Sequence, residues 1–168
     1  MRGRIQVKPR RSCWGWVVLC TVPLFGQSVQ LSSVPASRGG SVTIELRLAS
    51  PAGKELVALQ WETRFPNSYL TLDQAGPVMG DAAKAAGKLL RCAARGEKKS
   101  PNSSYLCILA GGQKPIANGT LAILSFRISP KARTGAYPVT ADSILAVSKD
   151  TKPITLPPAQ GTITIGRK

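Results

Sequence analysis

From residue 29 onward, apolar positions recur at every second residue rather than at helical spacing. Val42, Ile44, Leu46 and Leu48 alternate with Ser41, Thr43, Glu45 and Arg47, the period of a strand buried on one face. Arg38-Gly39-Gly40 supplies a turn before it. Val57, Leu59, Trp61, Thr63 and Phe65 form a second inward set, with Gln60, Glu62 and Arg64 facing water. Pro66-Asn67-Ser68 ends that strand, and Leu70 and Leu72 begin another. Between Thr120 and Ile128 both parities are largely apolar, which predicts a strand in the middle of a sheet. Pro130, Gly135, Pro138, Pro153 and Pro157-Pro158 punctuate the remaining C-terminal stretch, as in loops and edge strands. There is no internal repeat, heptad or low-complexity tract. The pattern predicts an all-β fold: an antiparallel β-sandwich of eight to nine strands with jelly-roll-like topology.

Residues 81–95 read two ways. By propensity Asp81 to Arg95 is helical, and Lys84, Lys88, Arg91 and Arg95 would form a basic stripe on that helix. Gly87 interrupts it at a cost of about 1 kcal/mol relative to alanine. The preferred reading is one short helical turn over 81–86, ended by Gly87, followed by a strand over 88–95. The continuous basic helix is the alternative.

The N-terminus has the form of an export signal. Arg2, Arg4, Lys8, Arg10 and Arg11 precede an apolar run from Ser12 to Phe25, and the first 28 residues contain no acid. That run is shorter than the roughly 20 residues of a membrane span, so cleavage is preferred to an uncleaved anchor. Neither a twin-arginine signal nor a lipoprotein box fits well. The expected organisation is a signal peptide over 1–28, cut after Gly26 or Ser28, and one domain over 29–168 that is secreted, periplasmic or on the cell surface. Removing five of the 23 basic residues and none of the eight acids leaves a charge of +10. Such a charge suits acidic partners, anionic glycans or cell surfaces.

Cys13 and Cys20 fall in the signal, which leaves Cys92 and Cys107 as one pair. In an oxidising compartment a lone pair is most simply a disulfide, worth roughly 3 kcal/mol at this spacing. If the two cysteines face each other in an antiparallel hairpin, Leu90 opposes Leu109 and Ala94 opposes Tyr105 on one side. Arg91–Ile108 and Ala93–Leu106 then pair on the other. The polar stretch 96–103 makes the connecting loop.

Composition excludes several chemistries. Without histidine there is no histidine base or Ser-His-Asp unit. Glu45, Glu62, Asp73 and Asp142 could form a glycosidase acid–base pair only in principle, and solvated carboxylates are the simpler reading. No metal ligand set, calcium loop, P-loop or dinucleotide turn is present, so neither cofactor nor metal is expected. Lys84, Lys88, Arg91, Arg95, Lys98 and Lys99 concentrate charge, but only Tyr105 is near for base stacking, so nucleic acid is not expected. Asn102-Ser103-Ser104 and Asn118-Gly119-Thr120 match the glycosylation sequon and are read as turn residues.

The C-terminal order resembles that of cohesin-like domains. Gly119 to Ile128 is similar to that family's glycine-led buried strand ending in Phe, and Ala132-Arg133-Thr134-Gly135-Ala136-Tyr137-Pro138-Val139 and Gly161-Thr162-Ile163-Thr164-Ile165 come after it as they do there. Ser37 to Ile44 looks like the family's first glycine turn and strand, and Ala58 to Phe65 like the strand before its aromatic-Asp-Pro corner. Here that corner is Phe65-Pro66-Asn67, without the aspartate. The disulfide hairpin within 81–112 is also something cellulosomal cohesins generally lack. The resemblance implies a non-catalytic module that binds a protein partner, a dockerin-like or other extracellular protein. The competing class is a carbohydrate-binding module for polysaccharide. Such modules stack sugars on exposed aromatics, and Trp61, Tyr69, Tyr105, Phe65 and Phe126 are a thin supply, with Trp61 and Phe126 inward by parity.

With Cys92 and Cys107 facing the core, parity turns Leu89, Arg91, Ala93, Leu106 and Ile108 outward. The family's topology puts the strand of Gln60, Glu62 and Arg64 in the same sheet. The expected partner-binding residues are therefore Gln60, Glu62, Arg64, Leu89, Arg91, Leu106 and Ile108. A bulge would reverse this parity and bury Leu106 and Ile108 instead. The cost of burying Arg91 unpaired favours the outward reading.

Overall fold

The computed structural model describes residues 26–95 and 100–166. Residues 1–25, which hold most of the expected export signal, lie outside the described residues. Strands β1 (Ser28–Leu31), β2 (Val34–Ala36), β3 (Ser41–Ala49), β4 (Leu56–Pro66), β5 (Leu70–Leu72) and β6 (Val78–Met79) precede the helical turn α1 (Asp81–Ala85). After it come β7 (Leu89–Arg95), β8 (Asn102–Ala110), β9 (Gly119–Ile128), β10 (Gly135–Ser148), β11 (Pro153–Thr155) and β12 (Ala159–Ile165).

The strands form two sheets. One runs β1-β3-β9-β5, with β6 also on β9; the other runs β2-β12-β10-β4-β8-β7, with β11 on β10. Apart from the consecutive pairs β7–β8 and β10–β11, neighbours in each sheet are not consecutive in sequence, so the chain crosses repeatedly between layers, as in a jelly roll. The described residues contain twelve strands rather than eight or nine. The excess is β2, β6 and β11, each of two or three residues. These lie at sheet margins, where a sequence pattern shows too few alternations to register. One pairing, β2 with β12, is parallel rather than antiparallel.

Alternation builds the core as expected. Ile44, Leu46, Leu124 and Phe126 from one sheet join Leu59, Trp61, Phe65, Leu109, Val139 and Ile144 from the other. Phe65 and Phe126 meet edge-on at 4.9 Å across the two layers. Strand β9 lies between β3 and the β5/β6 pair, and α1 packs against it, so Leu121 is buried as well as Ala122, Leu124 and Phe126 of the opposite parity.

Three expectations need correction. Leu56, not Val57, is buried, because a register shift beside Ser148 re-aims the start of β4. Pro138 belongs to β10, the longest strand and one internal to its sheet. It pairs with Thr162 on one side, while pairing with β4 starts only at Thr140. Locally, then, the proline occupies an edge, where no N–H is required. Asn102 opens β8 instead of lying in a turn, whereas Asn118 does serve a turn, its Oδ1 accepting from the Ser50 N–H at 2.7 Å.

The ambiguous segment resolves as the preferred reading, a helical turn and then a strand. Helix α1 ends at Ala85 and Gly87 has φ +65°, a conformation glycine adopts without strain. Strand β7 then begins at Leu89.

Candidate functional site

The hairpin of β7 and β8 sets the geometry. Cys92 and Cys107 are direct cross-strand partners, joined as a disulfide with their Cα atoms 4.1 Å apart. Cys107 is buried and Cys92 packs against the core. Alternation therefore turns Leu89, Arg91, Ala93, Leu106 and Ile108 away from the core. The register continues across the sheet: Ile108 opposes Gln60, Leu106 opposes Glu62 and Ser104 opposes Arg64. One strand further, Leu145 opposes Gln60 and Asp142 opposes Glu62. All seven residues picked from sequence thus share one outward face. Across it runs the row Arg91, Ile108, Gln60, Leu145 on four adjacent strands.

Aliphatic side chains stand in solvent on this face. Leu89 is 64% exposed, Leu145 47% and Ile108 42%. Leu106 is half-buried, less open than parity alone implied. A shallow concavity of about 300 Å³ lies between β8, β4, β10 and β11, lined by Ala58, Gln60, Ile108, Leu145, Val147 and Pro153. Exposed aliphatics grouped in this way mark interaction surfaces more often than isolated ones do.

The rim is charged and partly locked. The Arg64 guanidinium donates from Nη2 to Glu62 Oε2 at 2.9 Å and from Nη1 to Asp142 Oδ2 at 2.9 Å. Ser104 Oγ donates to Glu62 Oε1. That hydroxyl, followed by Arg64, holds the Glu62 carboxyl below its ordinary pKa. A carboxylate favoured in the fold stabilises it fully above the unfolded pKa of about 4.3 and loses that contribution as pH falls through the lower folded value. Glu62→Gln should therefore flatten the acid limb of stability below about pH 4.5. Urea unfolding of both proteins across the acid range would check this; parallel curves would show that the carboxylate is not linked to folding.

No family model matches this chain, and no curated protein matches it. Solved structures do. The sixth cohesin of scaffoldin B from Acetivibrio cellulolyticus, solved in complex with a Cel5 dockerin, superposes with a TM-score of 0.71 at 14% identity, over 84% of this chain and 100% of that one. A cohesin in a type I cohesin–dockerin complex from Clostridium thermocellum gives 0.69 at 14% identity, over 84% and 100%. A non-cellulosomal cohesin from the archaeon Archaeoglobus fulgidus gives 0.67 at 14% identity, over 85% and 93%. The fold is that of a cohesin module.

Within this cohesin-like sandwich, sequence reasoning missed the β10 and β11 contribution to the face: Leu145, Val147, Pro153 and Asp142. The reason is a bulge. Val139 and Ala141 point inward, then the register shifts after Asp142, Ser143 takes φ 51°, and Ile144 and Ala146 point inward. Counting by twos from Val139 puts Leu145 in the core; the extra residue turns it out.

Lys88 also departs from its expected place in an exposed basic cluster. It is 2% exposed, and its Nζ donates to the Gly111 and Gly112 carbonyls at 2.8 and 3.0 Å. Burial lowers its pKa. Lys88→Met would keep the packed stem but leave two turn carbonyls without their donor, an expected loss of about 1–3 kcal/mol in chemical unfolding. Unchanged stability would mean that water replaces the ammonium without cost. Lys98 and Lys99 lie outside the described residues; Lys84, Arg91 and Arg95 are exposed.

The face has little to offer catalysis. Glu62 and Asp142 share one guanidinium, and Glu62 is pushed toward the ionised form, opposite to what a general acid needs. Aromatics are equally placed for structure. Trp61, Phe65 and Phe126 are buried, Tyr105 stacks on Phe65 at 6.1 Å, and Tyr69 meets Tyr137 edge-on at 5.6 Å. Among the described residues these aromatics form no exposed planar strip for a sugar chain.

Proposed function

We propose that this chain is an exported, non-catalytic binding module that engages a protein partner through the outward face of its seven-stranded sheet. The observation that carries the reading is the pair Ile108 and Leu145, both exposed, on either side of Gln60 and beside a fixed Glu62–Arg64–Asp142 network. An apolar centre with a polar rim is the usual anatomy of a protein interface. Cohesins of the same fold that were solved with dockerins add support for a partner of that general kind. The missing aspartate at Phe65-Pro66-Asn67 and the disulfide hairpin argue for a partner different in detail.

A pull-down from the host's secreted fraction, run beside gels containing polysaccharide, tests this reading. Capture of a protein that competes for the face, with unretarded migration through the gels, is expected. Retardation by a polysaccharide without protein capture would overturn it. Export rests on the acid-free basic start and the apolar run from Ser12 to Phe25. N-terminal sequencing of the protein from its host should begin near Val29; an intact Met1 on a soluble cytoplasmic species would contradict export.

A further inference from the structure

We propose that the outward surface of the five-stranded sheet holds a second site, centred on Arg127, for an oxyanion group: a phosphate or sulfate. Arg127 on β9 has Ser41 of β3 as its cross-strand partner on one side and Thr71 of β5 on the other. All three are exposed and point away from the core. Neighbouring strands lie about 4.8 Å apart, so the guanidinium sits between two hydroxyls that can donate to the same bound oxygen atoms.

Two loops flank the end of this row. The Ile128 N–H donates to the Gly40 carbonyl at 2.8 Å, and Arg38 Nη2 donates to Thr134 Oγ1 at 2.9 Å. These bonds bring Arg38, Lys131 and Arg133 to the end of the sandwich that carries Arg127. Between the loops and the row lies a concavity of about 500 Å³, lined by Gly39, Ser41, Thr71, Arg127, Ser129 and Pro130.

Charge balance separates Arg127 from Arg47, the other arginine of this face. Arg47, on the same sheet, is paired with Glu45 at 3.1 Å, and on the other sheet Arg64 holds two carboxylates. Among the described residues, none of Arg38, Arg127, Lys131 and Arg133 makes an ion pair. The nearest acid along the ladder is Asp73, whose N–H bonds the Ser125 carbonyl and whose carboxylate forms no ion pair with Arg127. Arg127, with a hydroxyl on either side, gives the donor fork that a tetrahedral oxyanion takes, and Arg38, Lys131 and Arg133, outside the concavity's lining, add positive charge at the same end. The concavity is larger than the anion alone, which leaves room for the carrier of a phosphate or sulfate ester.

The test is an NMR titration of the arginine side-chain signals with inorganic phosphate and with sulfate, on wild type, Arg127→Gln and Arg47→Gln. Saturable binding on the order of millimolar is expected for wild type and Arg47→Gln, and binding about tenfold weaker for Arg127→Gln. Polyphosphate and dextran sulfate form the second arm. Tighter, Arg127-dependent binding of a polymer would identify an ester-bearing chain as the source, and equal per-group affinity would identify the free ion. Absence of saturation with every probe, or equal binding by Arg127→Gln, would overturn the site and reduce the cluster to net charge. The surface lies on the other sheet from the partner face, so its failure leaves the protein-binding proposal standing.

Discussion

Replacing Trp61 with alanine is expected to cost about 3–5 kcal/mol, the range for deleting a large buried aromatic. Trp61 is 1% exposed on β4, an internal strand of the seven-stranded sheet, and its cross-strand partner on β8 is Cys107, itself fully buried. Its indole N–H donates to Thr63 Oγ1 at 3.1 Å inside the core. The alanine variant therefore opens a cavity and strips a buried hydroxyl of its donor. The melting temperature should fall by roughly 10 °C or more for a domain of this size. Trp61→Phe should recover most of the packing but not the hydrogen bond. A loss below about 1 kcal/mol in chemical unfolding would show that the core near β4 collapses to fill the space.

Removing the disulfide by replacing Cys92 and Cys107 with alanine should cost about 3 kcal/mol for a crosslink spanning 15 residues. The effect should also be local. Strand β7 is an edge strand, paired with β8 alone. Without the crosslink its fraying is opposed only by that ladder and by Leu90 against the core. Amides of β8 that pair with β7 should then exchange with solvent much faster, while those of β3 and β9 change little. Because Trp61 and Cys107 are neighbours, the triple variant should deviate from additivity. Uniform acceleration across both sheets would mean that the crosslink acts on the whole fold and not on its edge.

Legibility in the sequence tracked the length of each pattern. Strands with four or more alternations, such as β3 and β4, could be read directly, because burial on one face leaves a period-two trace, and so could the largely apolar β9. The β7–β8 register could also be read, since two cysteines in one hairpin fix every other pair: Leu90 with Leu109, Arg91 with Ile108, Ala93 with Leu106. Of the residues picked for the partner face, Arg64, Leu89, Arg91 and Ile108 are exposed, while Gln60, Glu62 and Leu106 are half-buried among their strand neighbours. The features that could not be read depended on contacts between distant segments. The pairing of β10 with β4 joins residues roughly 80 positions apart, and its bulge at Asp142-Ser143 reverses the parity that would have pointed to Leu145. Lys88 was hidden for a related reason. A lysine is placed at the surface by default, and only the Gly111-Gly112 turn, brought close by the hairpin, provides the carbonyls that allow it inside.

The central claim is that the seven-stranded sheet presents a binding face rather than a misplaced piece of core. The most direct measurement compares stability and partner capture for Leu106→Ser/Ile108→Ser and for Ile108→Ser/Leu145→Ser. Ile108 and Leu145 are the better-exposed pair, so the second variant should unfold within about 1 kcal/mol of wild type yet lose capture by about tenfold or more. The first should lose capture too, with a somewhat larger stability cost from half-buried Leu106. A fall of roughly 3 kcal/mol or more in the Ile108→Ser/Leu145→Ser protein, the size of a core truncation, or undiminished capture by a folded variant, would contradict the account.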